Sequence, residues 1–116
     1  MDKQSALKFA KHWVQSWNSH DLDEILSHYT DDFEMSSPII VERMGVKSGA
    51  LKGKGAVGEY WTIALKSIPD LHFEILSVFT GANSVVIHYK GHKGNATEYF
   101  HFNDEGKVFK AVAHYE

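Results

Sequence analysis

The sequence predicts an α+β domain, with helices in the first half, antiparallel strands in the second, and the helices packed on one face of a bent sheet. Three observations lead there. Apolar residues recur at helical spacing in the stretches up to Ile68, alternation dominates from Leu71 onward, and 116 residues leave room for one compact domain, residues 1–116. With 43% apolar and 23% charged residues, the chain has the balance of a globular protein rather than a disordered or collagen-like one.

Each element follows from a local pattern. Ala6, Phe9, Ala10, Trp13 and Trp17 lie three to four positions apart with lysines between them, which predicts an amphipathic helix ending at Asn18-Ser19-His20. Asp21 followed by Glu24 reads as a capping-box-like start for a short second helix carrying Leu22, Ile25, Leu26 and Tyr29. From Asp32 to Val41 the period changes to two, so a strand is expected, with Pro38 marking an edge or bulge. Glu42 to Gly55 is rich in Gly and Lys and reads as a long loop containing a small hairpin at Ala50-Leu51. Val57, Tyr60, Trp61, Ala64, Leu65 and Ile68 predict a third helix, ended by Pro69-Asp70. Four strands then form a meander: Leu71 to Thr80, Ser84 to His92, Ala96 to Asn103, and Lys107 to Tyr115.

Composition excludes several functions. There is no cysteine, so disulfides, thiolate metal sites and cysteine nucleophiles are absent. The net charge is −3 and Arg43 is the one arginine, which argues against a nucleic-acid partner. No apolar run approaches the roughly 20 residues that span a bilayer, and no signal-peptide hydrophobic region follows Met1, so no membrane partner and a cytoplasmic location are expected. The Gly49 to Gly55 stretch fails the spacing of a phosphate loop, and no Gly-x-Ser-x-Gly elbow is present.

Several strings carry a resemblance: Trp17-Asn18-Ser19-His20-Asp21-Leu22, Tyr29-Thr30-Asp31-Asp32-Phe33 through Pro38, Gly53-Lys54-Gly55-Ala56-Val57, and Phe102-Asn103-Asp104-Glu105-Gly106-Lys107-Val108. With the element order, they resemble the nuclear transport factor 2-like superfamily in its SnoaL-like and ketosteroid-isomerase-like branch, over nearly the whole chain. The strings are caps, turns and packing positions, so they bear on fold more than on chemistry. The resemblance implies a cone-shaped, curved antiparallel sheet wrapped around three N-terminal-half helices, the cystatin-like α+β barrel, with an apolar pocket at its open end. The position of the isomerases' catalytic aspartate falls on Ser37, and that of their oxyanion-stabilising tyrosine on Trp13. A serine hydroxyl is no general base at neutral pH, and an indole N–H donates without shuttling a proton, which argues against steroid-type isomerisation.

A third matched position, a carboxylic acid, falls on Glu98, and strand parity reaches the same residue. Glu98, Phe100 and Phe102 share one face, so Glu98 points where the phenylalanines point. Among aromatics its pKa would rise and it would serve as acid, base or hydrogen-bond donor; the bland alternative is a solvated acid at the cone mouth, or one paired with a lysine. Trp13, Met35, Ser37, Tyr60, Trp61, Phe100 and Tyr115 are the expected ligand-binding residues, suited to a small apolar ligand, flat or cyclic, held by few polar groups.

Parity sends His72, His88, His101 and His114 to the outer sheet face, where with Tyr99 they form an amphipathic patch expected to mediate a homodimer. A turn centred on Gly94-Asn95 would set His88 opposite His101; with no third ligand at a recognised spacing, no metal and no cofactor are expected. Two functions of different class remain. One is an acid–base enzyme of isomerase, cyclase or hydratase type acting on a small apolar carbonyl-type substrate through Glu98; the other is a ligand-binding or protein-interaction module without turnover.

Overall fold

A computed structural model describes all 116 residues, and its elements run α1 (Lys3–Asn18), α2 (Leu22–Leu26), β1 (Tyr29–Ser36), α3 (Pro38–Met44), β2 (Ala50–Lys52), α4 (Lys54–Ser67), β3 (Glu74–Gly81), β4 (Ser84–Gly91), β5 (Gly94–Phe102) and β6 (Val108–Tyr115). One six-stranded sheet runs in the order β2-β1-β6-β5-β4-β3 and leaves β2 and β3 as open edges. Register shifts within β1–β6, β3–β4 and β5–β6 bend it. The architecture is therefore the α+β cone expected, with two additions. The helices number four, and one strand pair, β1 with β6, is parallel in an otherwise antiparallel sheet.

Capping defines the first helices. The Asp2 carboxylate accepts a hydrogen bond from the Ser5 amide at 2.7 Å, and Asp21 accepts one from the Glu24 amide at 3.2 Å, so two orphan amides are satisfied by the side chains that start α1 and α2. Ala6, Ala10, Trp13, Val14 and Trp17 are the buried stripe of α1. The two alanines bring its backbone close to the sheet, while Phe9 and Trp13 meet Phe100 edge-on at 5.0 and 5.2 Å between centroids.

Between Asp32 and Gly55 the structure departs from the sequence reading. The strand starts earlier, at Tyr29, and ends at Ser36. Ser37 then caps α3, accepting from the Ile39 amide at 3.1 Å, and Pro38 occupies the first helical turn, where its missing N–H leaves nothing unsatisfied. Pro38 is thus a helix starter and not an edge-strand residue. Gly45, at φ +68°, closes α3 in the left-handed conformation. Gly49 (φ +71°) accepts a 2.9 Å bond from the Ser37 amide and lies so close that an added Cβ would sit 3.2 Å from the Ser37 carbonyl oxygen. Ala50–Lys52 pairs antiparallel with Glu34–Ser36 of β1 across the intervening α3, so the small hairpin expected within Glu42 to Gly55 is not formed.

The β4–β5 turn also differs. Gly91 faces Gly94 across a two-residue turn of His92 and Lys93, which pairs His88 with Thr97 and His101 with Ser84. His88 and His101 are therefore not opposite one another, and no set of three His, Asp or Glu side chains converges to hold a metal ion. The inward parity holds: Val85, Ile87, Tyr89, Ala96, Glu98, Phe100, Ala111 and Ala113 are buried beneath the helices. No helix is long and apolar enough to cross a membrane.

Candidate active site

The inner sheet face is not evenly filled. Glu98 pairs across the ladder with Ala113, and Ala96 with Tyr115. Where small side chains face α1 and α4 the helices cannot close the gap, and an apolar cavity of about 90 Å³ remains, open to solvent at its mouth. α1 supplies Trp13 and Trp17, α4 supplies Tyr60 and Trp61, and Phe73 lies between them on the segment leading into β3.

Glu98 stands in this wall, 4% exposed. Its one side-chain contact is long: the Tyr89 hydroxyl donates to Oε1 at 3.4 Å. No lysine, arginine or histidine forms an ion pair with it, so the alternatives of a solvated acid and of a lysine-paired acid are both overturned. Burial without a countercharge disfavours the carboxylate and pushes the pKa up to about 8, only partly opposed by Tyr89.

Tyrosines surround the acid. Burial raises Tyr29, Tyr60, Tyr89 and Tyr115, and at all four the Glu98 charge pushes in the same direction. Tyr115 is 42% exposed as a residue, yet its hydroxyl end turns into the cavity near Glu98. The Ser37 hydroxyl partly offsets the rise at Tyr60 and Tyr115.

The residues expected from sequence divide into three groups. Trp13, Met35, Tyr60, Trp61, Tyr115 and Glu98 all line the cavity. Phe100 does not; fully buried, it packs against Phe9 and Trp13. Ser37 is also outside the lining and has its oxygen engaged at the start of α3. Trp13 keeps its ring in the wall, but its indole N–H donates to the Tyr29 hydroxyl at 3.1 Å. Of the expected positioning donors, Trp13 is thus occupied by an internal bond, whereas Ser37 only accepts at the start of α3 and keeps its O–H to donate. Sequence reasoning missed Trp17, whose buried Nε1 has no partner although the residue lines the cavity, and it missed Tyr29 and Tyr89. Trp17 carried the signal of a core residue, one helical turn from Trp13.

An open curved sheet, four helices and a single acid in an aromatic cavity define a class of pocket-bearing α+β proteins. The chain belongs to the SnoaL-like domain family, which matches residues 10–116. A SnoaL-like protein of unknown function from Burkholderia thailandensis is 53% identical, with 99% of this chain and 97% of that chain covered and a TM-score of 0.97. Two more distant structures share the fold. The epoxide hydrolase/cyclase-like enzyme SalBIII, of pyran ring formation in the polyether salinomycin, is 18% identical over 99% of this chain and 93% of its own, at TM-score 0.79. A candidate polyketide cyclase from Sinorhizobium meliloti is 14% identical over 97% and 99%, at TM-score 0.75. No curated protein matches the sequence.

Proposed function

We propose that the chain is an acid–base enzyme of isomerase, cyclase or hydratase type acting on a small apolar carbonyl compound, with Glu98 as the proton-carrying group. One observation carries the reading: a carboxylic acid in the wall of an open apolar cavity, with no cation to neutralise it. With its pKa raised to about 8, Glu98 is mostly protonated at neutral pH and close enough to neutrality to give a proton and take one back. It enters as the acid, donating to the substrate oxygen, and its conjugate base then accepts a proton from carbon or from an attacking hydroxyl. The cyclase-type chemistry named for SalBIII is consistent with this proposal.

The test uses 2-tetralone, a flat apolar ketone, and follows exchange of its α-protons in heavy water by NMR. The protein is expected to accelerate exchange over buffer, and Glu98→Gln to remove on the order of a hundredfold of that acceleration. Equal rates for the two proteins would overturn the role of Glu98. A second reading, a binding module without turnover, draws support from Trp13, whose indole N–H is held internally. It predicts that tetralone binds and its exchange stays at the buffer rate.

A further inference from the structure

The cavity mouth carries charges that proton transfer at Glu98 does not use. Arg43, the one arginine of the chain, reaches it from the last turn of α3, and His92 and Lys93 reach it from the β4–β5 turn. All three are exposed, and none takes part in an ion pair; the pairs formed are His12–Glu24, Lys54–Asp31 and Lys110–Glu34. Glu42 adjoins Arg43 on the same helix and makes no bridge to it. In a chain of net charge −3, three basic side chains from two distant segments meet at one apolar opening. Glu98 is the single acid in the lining.

We propose that the cavity selects a flat cyclic or aromatic carboxylate, its ring among Trp13, Trp17 and Trp61 and its carboxylate between Arg43 and Lys93 at the mouth. The inference rests on the cavity being the ligand site, and it narrows the substrate to a carbonyl compound that also bears an acid group. A guanidinium offers two parallel N–H donors that match a carboxylate, an ammonium adds a point charge, and His92 has an N–H donor in either protonation state. The low-dielectric walls behind the opening concentrate this field on an entering anion. Protonated at neutral pH, Glu98 does not repel such a ligand.

Calorimetric titration with 2-naphthoate and with 2-naphthamide, its neutral isostere, tests the proposal on the intact chain. The naphthoate is expected to bind roughly tenfold more tightly, the combined worth of two partly exposed charge contacts. The exposed double variant Arg43→Gln/Lys93→Gln is expected to lose that preference and keep its affinity for the amide. Equal affinities, a preference for the amide, no binding of naphthoate, or a preference that survives in the double variant would each overturn the proposal. The acid–base reading is scored separately. Tetralone exchange that is absent while the naphthoate preference stands removes turnover alone, and exchange that is present without the preference removes the carboxylate selectivity alone.

Discussion

At the scale of single residues, Glu98 makes the folded protein respond to pH in the opposite sense to an ordinary ion-paired acid. Its carboxyl moves from the ordinary value of 4.5 to about 8 on folding. Below the lower value both states hold the proton. Between the two, the unfolded chain has released it and the folded chain retains it, so stability falls as pH rises and levels off above the upper value. The difference amounts to a few kcal/mol in order of magnitude. Glu98→Gln removes the titration at nearly constant shape, and urea unfolding should find the variant more stable than the parent at about pH 9, the gap closing towards about pH 5. A gap that stays constant across that range would show that Glu98 does not titrate this way. This residue was legible in the sequence because strand parity is a strict rule, and parity also sorted His72, His88, His101 and His114 away from the cavity. The partners of Glu98 were not legible. Tyr29, Tyr60, Tyr89 and Tyr115 come from β1, α4, β4 and β6, and nothing local in the chain signals that all four feel the Glu98 charge. Trp17 was hidden for another reason: whether an indole N–H is satisfied depends on its neighbours in space, and Trp13 gives the same helical signal with its N–H already bonded.

Among the elements, α3 was the one most misread, and the cause is physical. Ile39, Ile40 and Val41 are β-branched and follow an alternating run, so their side chains favour a strand, while Ser37-Pro38 is a strong helix start. Capping geometry decided the outcome. Ser37→Ala is expected to cost about 1 kcal/mol of stability, measured by denaturant unfolding, because the Ile39 amide loses its acceptor. If the Ser37 hydroxyl served a ligand and not the helix, stability would be unchanged. The β4–β5 turn was misread through its glycines, since Gly91 and Gly94-Asn95 both offer turn chemistry. The structure uses Gly91 opposite Gly94, the latter at φ +112°. That choice sets His92 and Lys93 at the tip, and it is the reason the basic mouth was invisible before the register was known. The long helices α1 and α4 were legible throughout, because sustained helical periodicity leaves little room for another reading.

For the molecule as a whole, element order was enough to reach an α+β fold with helices on one face of a bent sheet and the resemblance implied the cone, whereas the parallel β1–β6 pair joins segments too distant in sequence for any local pattern to reveal. The outer sheet face remains uncovered. Phe79, Val86, Tyr99 and Val112 pair in sequence across four strands to form an apolar row, with Phe79 58% exposed and the row flanked by His88 and His101. The expected occupant is a second copy of this chain, since a row crossing the strands can meet its own two-fold mate. Sedimentation at micromolar concentration should give a dimer, and Val86→Lys should give a monomer that still binds cavity ligands. A monomeric parent protein would remove the interface. The cavity walls have a last consequence. Trp13, Trp17, Tyr60 and Trp61 belong at once to the hydrophobic core and to the cavity wall. Whatever enters is therefore held by groups that exist as a surface only in the native state, and melting temperature should climb logarithmically with ligand concentration. Heat resistance becomes a way to find the natural ligand: metabolite fractions can be ranked by how far they delay unfolding, before any reaction is known.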